Sequence, residues 1–177
     1  PNFIRKVNST NPDSNAWARF ERNDIDIKKF NELFLQESEL LGHAIPGEKI
    51  ISLLNVKLRP EMLNLIKTCR RNYITACLTN NVKILPSLEG RQEKAFYSIY
   101  KEFDYVVESS EIGLRKPEKA FYQYACNLIN VLPSEVVFLD DLGINLKPAK
   151  AMGMQTIKVI EPTKAIKELE QLLEQQL

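Results

Sequence analysis

Histidine is almost missing from these 177 residues: His43 stands alone, just after the Gly42 that stops a helical pattern, with no neighbour in sequence to complete a catalytic pair. It reads as a surface loop residue, and neither a Cys-His-Asp arrangement nor a glycine-rich nucleotide fingerprint takes its place. Cysteine is scarce as well. Cys69, Cys77 and Cys126 are odd in number, widely spaced and set in apolar stretches, which reads as reduced core thiols, not a disulfide framework or a zinc site. That usage points to a cytoplasmic home. An excess of charge of one sign is lacking too: 24 Lys and Arg face 23 Asp and Glu, and a net charge of +1 gives no long-range field for nucleic acid or an anionic membrane. Anion recognition must therefore rest on particular local charges. No apolar run approaches the roughly 18 to 20 residues that span a bilayer. The opening Pro1-Asn2-Phe3-Ile4-Arg5 carries no signal-peptide core, so no membrane partner is expected. A leading Met is missing, which leads us to expect coding sequence upstream of Pro1.

What is present suffices for one domain, or a core with a small satellite. The stretch up to about residue 70 reads as helical. Asp26 can cap a helix whose apolar residues Phe30, Leu33, Phe34, Leu40 and Leu41 recur at helical spacing until Gly42, and Pro60 suits the first turn of another helix carrying Leu63 and Ile66. From Tyr73 onward short β-rich runs alternate with amphipathic helices. The runs are Tyr73 to Leu78, Tyr105 to Val107, Val136 to Leu139 and Thr156 to Ile160. Between and after them lie helices through Phe96, Ile99 and Phe103, through Phe121, Ala125 and Leu128, one ending near Gly153, and one with Ile166, Leu169 and Leu172. Repeated units of this length predict an α/β class, a doubly wound parallel sheet covered by helices. The compositional seam around Ile45 to Pro60 divides a mainly helical, cap-like region, 1–58, from a Rossmann-like α/β core, 59–177.

In open parallel sheets ligands sit at the carboxyl ends of the strands, so the residues after each run come first. Leu78-Thr79-Asn80-Asn81 places a hydroxyl, an amide and backbone N–H groups at one tip, able to hold phosphate oxygens or simply to form a polar turn. Gly113-Leu114-Arg115-Lys116-Pro117-Glu118 leads into a helix, with Pro117 expected in its first turn. Lys116 there can neutralise a phosphoryl group, or be a solvated charge. Val136-Val137-Phe138-Leu139 ends in Asp140-Asp141. Two adjacent carboxylates at a buried tip cost free energy unless a cation or donors compensate, and oxygen ligands of this kind suit Mg²⁺. The alternative is that one Asp caps the next helix.

Thr/Asn, then Lys-Pro, then Asp-Asp, each closing a successive βα unit, resembles motifs two to four of the haloacid dehalogenase superfamily. The text Phe138-Leu139-Asp140-Asp141-Leu142-Gly143-Ile144-Asn145-Leu146-Lys147-Pro148-Ala149 is similar to the subgroup containing the N-terminal phosphatase domain of soluble epoxide hydrolase, over about residues 15 to 170. The resemblance implies a helical cap and Mg²⁺-dependent hydrolysis of a small phosphate monoester. It assigns Thr79 and Asn80 to the phosphoryl group, and Lys116 to stabilising it and orienting the nucleophile. Asp141 becomes the direct Mg²⁺ ligand, with Asp140 and Asn145 in support.

That family expects an apolar strand ending Asp-x-Asp near the start, and here the only early aspartates, Asp13, Asp24 and Asp26, follow no β-rich run. The first core strand is thus expected to be absent and the chain as given inactive. Either the neighbouring strands close the gap by direct pairing, or a strand from another molecule completes the sheet. A homodimer is compatible with the sequence. Rival readings are a 2-haloacid dehalogenase, against which the Asp140-Asp141 pair argues, and a non-catalytic binding protein using Trp17 and Phe20 as its contact surface, where core packing is the plainer role.

Overall fold

A computed structural model of the chain describes residues 2–53, 58–83 and 98–174. Chain contacts divide it into two compact units. The first is Pro1–Lys57, Thr79–Ala95 and Glu108–Arg115; the second is Leu58–Leu78, Phe96–Val107 and Lys116–Leu177. Where the sequence reading draws a single boundary near residue 58, the contacts also assign two strand-tip segments to the helical unit.

The first unit is built on α1 (Asn2–Ser9), α2 (Ala16–Glu21), α3 (Ile27–Leu40) and α4 (Gly47–Ile51), and also includes the short helix Ser109–Ile112. Local chemistry sets the helix starts. Asn15 accepts from Ala18 N at 2.8 Å to cap α2, and Asp26 accepts from Lys29 N at 2.8 Å to cap α3, as its sequence predicts. Gly42, at φ 99°, takes the left-handed turn that ends α3's run. Phe20, Phe30 and Phe34 are buried in a cluster with Val7, Ile50 and Ile51, and the Phe20 and Phe30 rings stack at 4.4 Å. Trp17, partly buried, meets Phe30 edge-on at 5.6 Å, so both Trp17 and Phe20 pack in this core. Gly47 is obligatory for the packing, since a Cβ there would lie 2.6 Å from the Phe30 ring. His43 is exposed in the loop, its ring edge-on to Phe3 at 4.7 Å.

The second unit carries α5 (Pro60–Cys69), β1 (Ala76–Thr79) and β2 (Tyr105–Glu108), whose last residues Thr79 and Glu108 belong to the first unit, then α7 (Lys119–Ile129), β3 (Val137–Asp140), α8 (Gly143–Ala151), β4 (Gln155–Lys158) and α9 (Pro162–Glu174); the first unit's Ser109–Ile112 is α6 in chain order. Pro60 occupies the start of α5. β3 and β4 run parallel with Asp140 opposite Lys158, and β1 pairs with β2. Among the described residues β1 and β3 belong to separate two-stranded sheets, so direct closure between them is not what forms. Helices pack on the strands through Tyr122, Cys126, Phe138, Leu146 and Ala149 in one cluster and Ile157, Ala165 and Leu169 in another. The α/β class with parallel strands and covering helices is therefore observed. Of the helix expected through Phe96, Ile99 and Phe103, Phe96 lies outside the described residues and 98–100 are helical. Pro117 corrects an expectation: α7 begins only at Lys119, after an extended Glu118, and Pro117 stands in the preceding turn behind a cis peptide bond. The three cysteines are free, with Cys126 buried and Cys69 and Cys77 half-buried. Among the described residues no helix is long and apolar enough to cross a membrane.

Candidate active site

In the second unit, chemistry gathers at the end of β3. Asp140 closes the strand at 7% exposure, where an unpaired carboxylate would be costly, and every lone-pair direction is answered. Its Oδ1 accepts from Leu142 N at 2.8 Å and from Asn145 Nδ2 at 3.0 Å. Its Oδ2 accepts from Asn145 Nδ2 at 3.1 Å and from Lys116 Nζ at 2.8 Å. Lys116 also donates to Leu78 O of β1 at 2.8 Å, so a single ammonium joins the tips of two strands that share no ladder. Its Nζ stands 5.7 Å from the Phe138 ring centroid, a favourable place for a cation. Asp141, the next residue, is exposed and makes no hydrogen bond or ion pair among the described residues.

Asn145 is held in turn. It lies buried in the first turn of α8, and its carbonyl accepts from the Tyr122 hydroxyl at 2.6 Å. Burial, and then the Asp140 charge, push the Tyr122 hydroxyl well above the ordinary tyrosine range. Tyr122 escaped the sequence reading, although a tyrosine beside Phe121 on a core-facing helix signals a hydroxyl in search of a partner. Tyr122→Phe is expected to cost about 1–2 kcal/mol, because Asn145 loses a donor in a buried place. Since the folded-state pKa is raised, the tyrosine's contribution is full below about pH 10 and is lost as pH rises beyond it. Urea midpoints at pH 7 and pH 11 check both: the variant should lie below the parent at pH 7 and lose less on the alkaline side.

In the first unit, Thr79 ends β1 and the next residues are tied to their surroundings. Asn80 Nδ2 donates to Glu21 Oε2 at 3.2 Å. Asn81 N donates to Ser109 Oγ at 3.0 Å, and Asn81 Oδ1 accepts from Ser110 Oγ at 3.0 Å and Ser110 N at 3.3 Å, while its Nδ2 donates to Glu108. Buried Ser109 and Ser110 thus lock the loop after β1 onto the start of α6. Asp24 pairs with Arg22 at 2.9 Å, Asp26 caps α3 and Asp13 is exposed, so none of these three ends a strand.

The sequence-expected residues therefore fall in two groups: Lys116, Asp140 and Asn145 in one bonded cluster with Asp141 beside it, and Thr79 and Asn80 in the first unit. As for a metal, both Asp140 oxygens are engaged by protein donors, whereas Asp141 offers a carboxylate without one. A single available carboxylate with a supporting neighbour fits Mg²⁺, which keeps waters and takes few protein ligands. Among the described residues no group of three or more His, Cys, Asp or Glu forms a dedicated cage.

The second unit is thus a parallel α/β unit with a Lys–Asp–Asn cluster at its strand tips. The family model for haloacid dehalogenase-like hydrolases matches residues 6–153, and the chain belongs to that family. It is 38% identical over 167 residues to acyl-CoA dehydrogenase family member 10 of Mus musculus, covering 91% of this chain and 15% of that protein. Bifunctional epoxide hydrolase 2 of Mus musculus is 35% identical over 114 residues, 64% of this chain and 21% of that protein, in keeping with the resemblance read from the motifs. Sesquiterpene phosphatase astK of Aspergillus oryzae is 26% identical over 165 residues, 90% of this chain and 80% of that protein. The chain thus spans only a small part of the first two relatives. Among solved structures, a HAD family enzyme of Bacteroides thetaiotaomicron, in complex with magnesium and inorganic phosphate, superposes with a TM-score of 0.60 at 20% identity, covering 89% of this chain and 83% of that one.

Proposed function

We propose that this chain carries the phosphoryl- and Mg²⁺-binding apparatus of a phosphatase acting on small phosphate monoesters. The observation that carries the reading is the Lys116–Asp140–Asn145 cluster with Asp141 exposed at its side. Support comes also from a relative named as a phosphatase and from a fold neighbour crystallised with magnesium and phosphate.

In this reading the Lys116 ammonium neutralises phosphoryl charge, and Thr79 and Asn80 supply a hydroxyl and an amide to the phosphoryl oxygens. Asp140 and Asn145 hold Lys116 and the acidic turn in place, and Asp141 is the carboxylate for Mg²⁺. When bound, the ion supplies positive charge that lets one anion approach another. In a phosphatase of this kind an aspartate carboxylate attacks phosphorus to give an aspartyl-phosphate as the P–O ester bond breaks, and the leaving oxygen takes a proton from a neighbouring acid. Water then hydrolyses the acyl phosphate. None of Asp13, Asp24 and Asp26 is read as that nucleophile, so the chain as given binds without turning over.

Asp141→Asn is expected to lower Mg²⁺ affinity at least tenfold and to leave the thermal midpoint within about 2 °C of the parent, since an exposed amide is a poorer ligand for a hard cation yet breaks no internal bond. Isothermal titration with MgCl₂ checks this, and unchanged affinity in the folded variant rejects Asp141 as the ligand.

A further inference from the structure

Glu21 is a heavily committed carboxylate of the first unit. It ends α2 at 7% exposure, with both oxygens taken. Oε1 accepts from Trp17 Nε1 at 2.8 Å; Oε2 accepts from Asn80 Nδ2 at 3.2 Å and from Arg115 Nε at 2.6 Å. Arg115, itself largely buried, also donates through Nη1 to Pro12 O at 3.3 Å. Three segments far apart in sequence thus converge on one side chain.

As a stability device this is a poor choice. Burying an ionised pair costs desolvation that its attraction barely repays, and apolar side chains of similar volume would hold α2 as well. What a carboxylate does impose is direction. Ionised, it only accepts, so the Asn80 amide must turn its NH₂ end toward α2, and the Arg115 charge is bound to a counter-ion within the unit.

We propose that Glu21 is a positioning residue: from α2 it sets the orientation of the Asn80 amide for an incoming phosphoryl group and keeps the Arg115 guanidinium as its own counter-ion. This rests on the reading of Asn80 as a phosphoryl ligand.

The test is a double-mutant cycle on this chain, with inorganic phosphate in the presence of MgCl₂ as the probe and ³¹P line broadening as the readout. Glu21→Gln is nearly isosteric and keeps an oxygen for Trp17, but sets an NH₂ group against two donors. Phosphate affinity is expected to fall at least fivefold, Asn80→Ala to cause a similar fall, and the double variant to fall no further than the worse single one. A merely structural role gives additive losses, which would overturn the proposal, as would parent-like affinity in folded Glu21→Gln. Should that variant fail to fold, Glu21→Asp takes its place: its carboxylate keeps the charge but stops a methylene short, and parent-like phosphate affinity there overturns the proposal equally. Thr79→Val separates the two readings. If it weakens phosphate binding and the Glu21 variants do not, positioning by Glu21 alone fails; if the folded parent binds no phosphate, the site reading fails and takes this inference with it.

Discussion

Replacing Lys116 by methionine is expected to destabilise the second unit by about 3–5 kcal/mol. The side chains of Lys116 and Asp140 are only 12% and 4% exposed and meet at 2.8 Å, so solvent screens them little. Removing the ammonium leaves an ionised carboxylate with Leu142 N and Asn145 Nδ2 as its remaining donors, and takes from Leu78 O the donor that joined β1 to β3's tip. Methionine fills much of the lysine stem's volume, so the loss reports the charge and not a cavity. The loss should be largely reversed in Lys116→Met/Asp140→Asn, because the second change removes the stranded charge while keeping an oxygen to accept from Leu142 N. Urea denaturation of the two variants and the parent, compared at equal m-values, is the measurement. A Lys116→Met penalty below about 1 kcal/mol would put the pair in the class of exposed ion pairs and remove Lys116 as the connector of the strand tips.

That connector explains which parts of the molecule could be read in advance. Elements set by local rules were legible: Asp26 capping α3, Pro60 opening α5, and the apolar runs that became β1, β2, β3 and β4 all depend on residues a few positions apart. The Asp140–Asp141 pair was legible as chemistry, but the burial of one and exposure of the other follows from the strand's alternation and the bend at Asp141, which adjacency alone does not reveal. Glu21 was not legible. In Arg19-Phe20-Glu21-Arg22 it looks like one more solvated charge, and its partners Asn80 and Arg115 lie 59 and 94 residues away. The same holds for Tyr122, whose hydroxyl reaches a carbonyl 23 residues on. Motifs at strand tips announce the groups that meet a ligand; the groups that aim them are fixed by tertiary contacts and carry no local signature.

The largest effect expected is on turnover itself: this chain should hydrolyse no phosphate monoester above background, even where the proposed phosphate and Mg²⁺ binding is found. The electrostatic stabilisation and orientation proposed for Lys116, Thr79 and Asp141 would be independent of a nucleophile, but a covalent aspartyl-phosphate is not. The three early aspartates have other occupations or the wrong setting: Asp24 is paired with Arg22, Asp26 spends its carboxylate on the Lys29 amide, and Asp13 is exposed among polar residues. Uncatalysed phosphate-monoester hydrolysis is so slow, with enzymes accelerating it by up to ~10²¹-fold, that even a poorly placed nucleophile would lift the rate visibly. An aryl phosphate with MgCl₂, assayed beside Thr79→Val/Asp141→Asn, makes the comparison without touching the stabilising Lys116–Asp140 pair. Equal rates in the two proteins are the expected result. A rate in the parent well above the variant's would mean that a nucleophile is already present, and substituting Asp13, Asp24 and Asp26 one at a time would then find it.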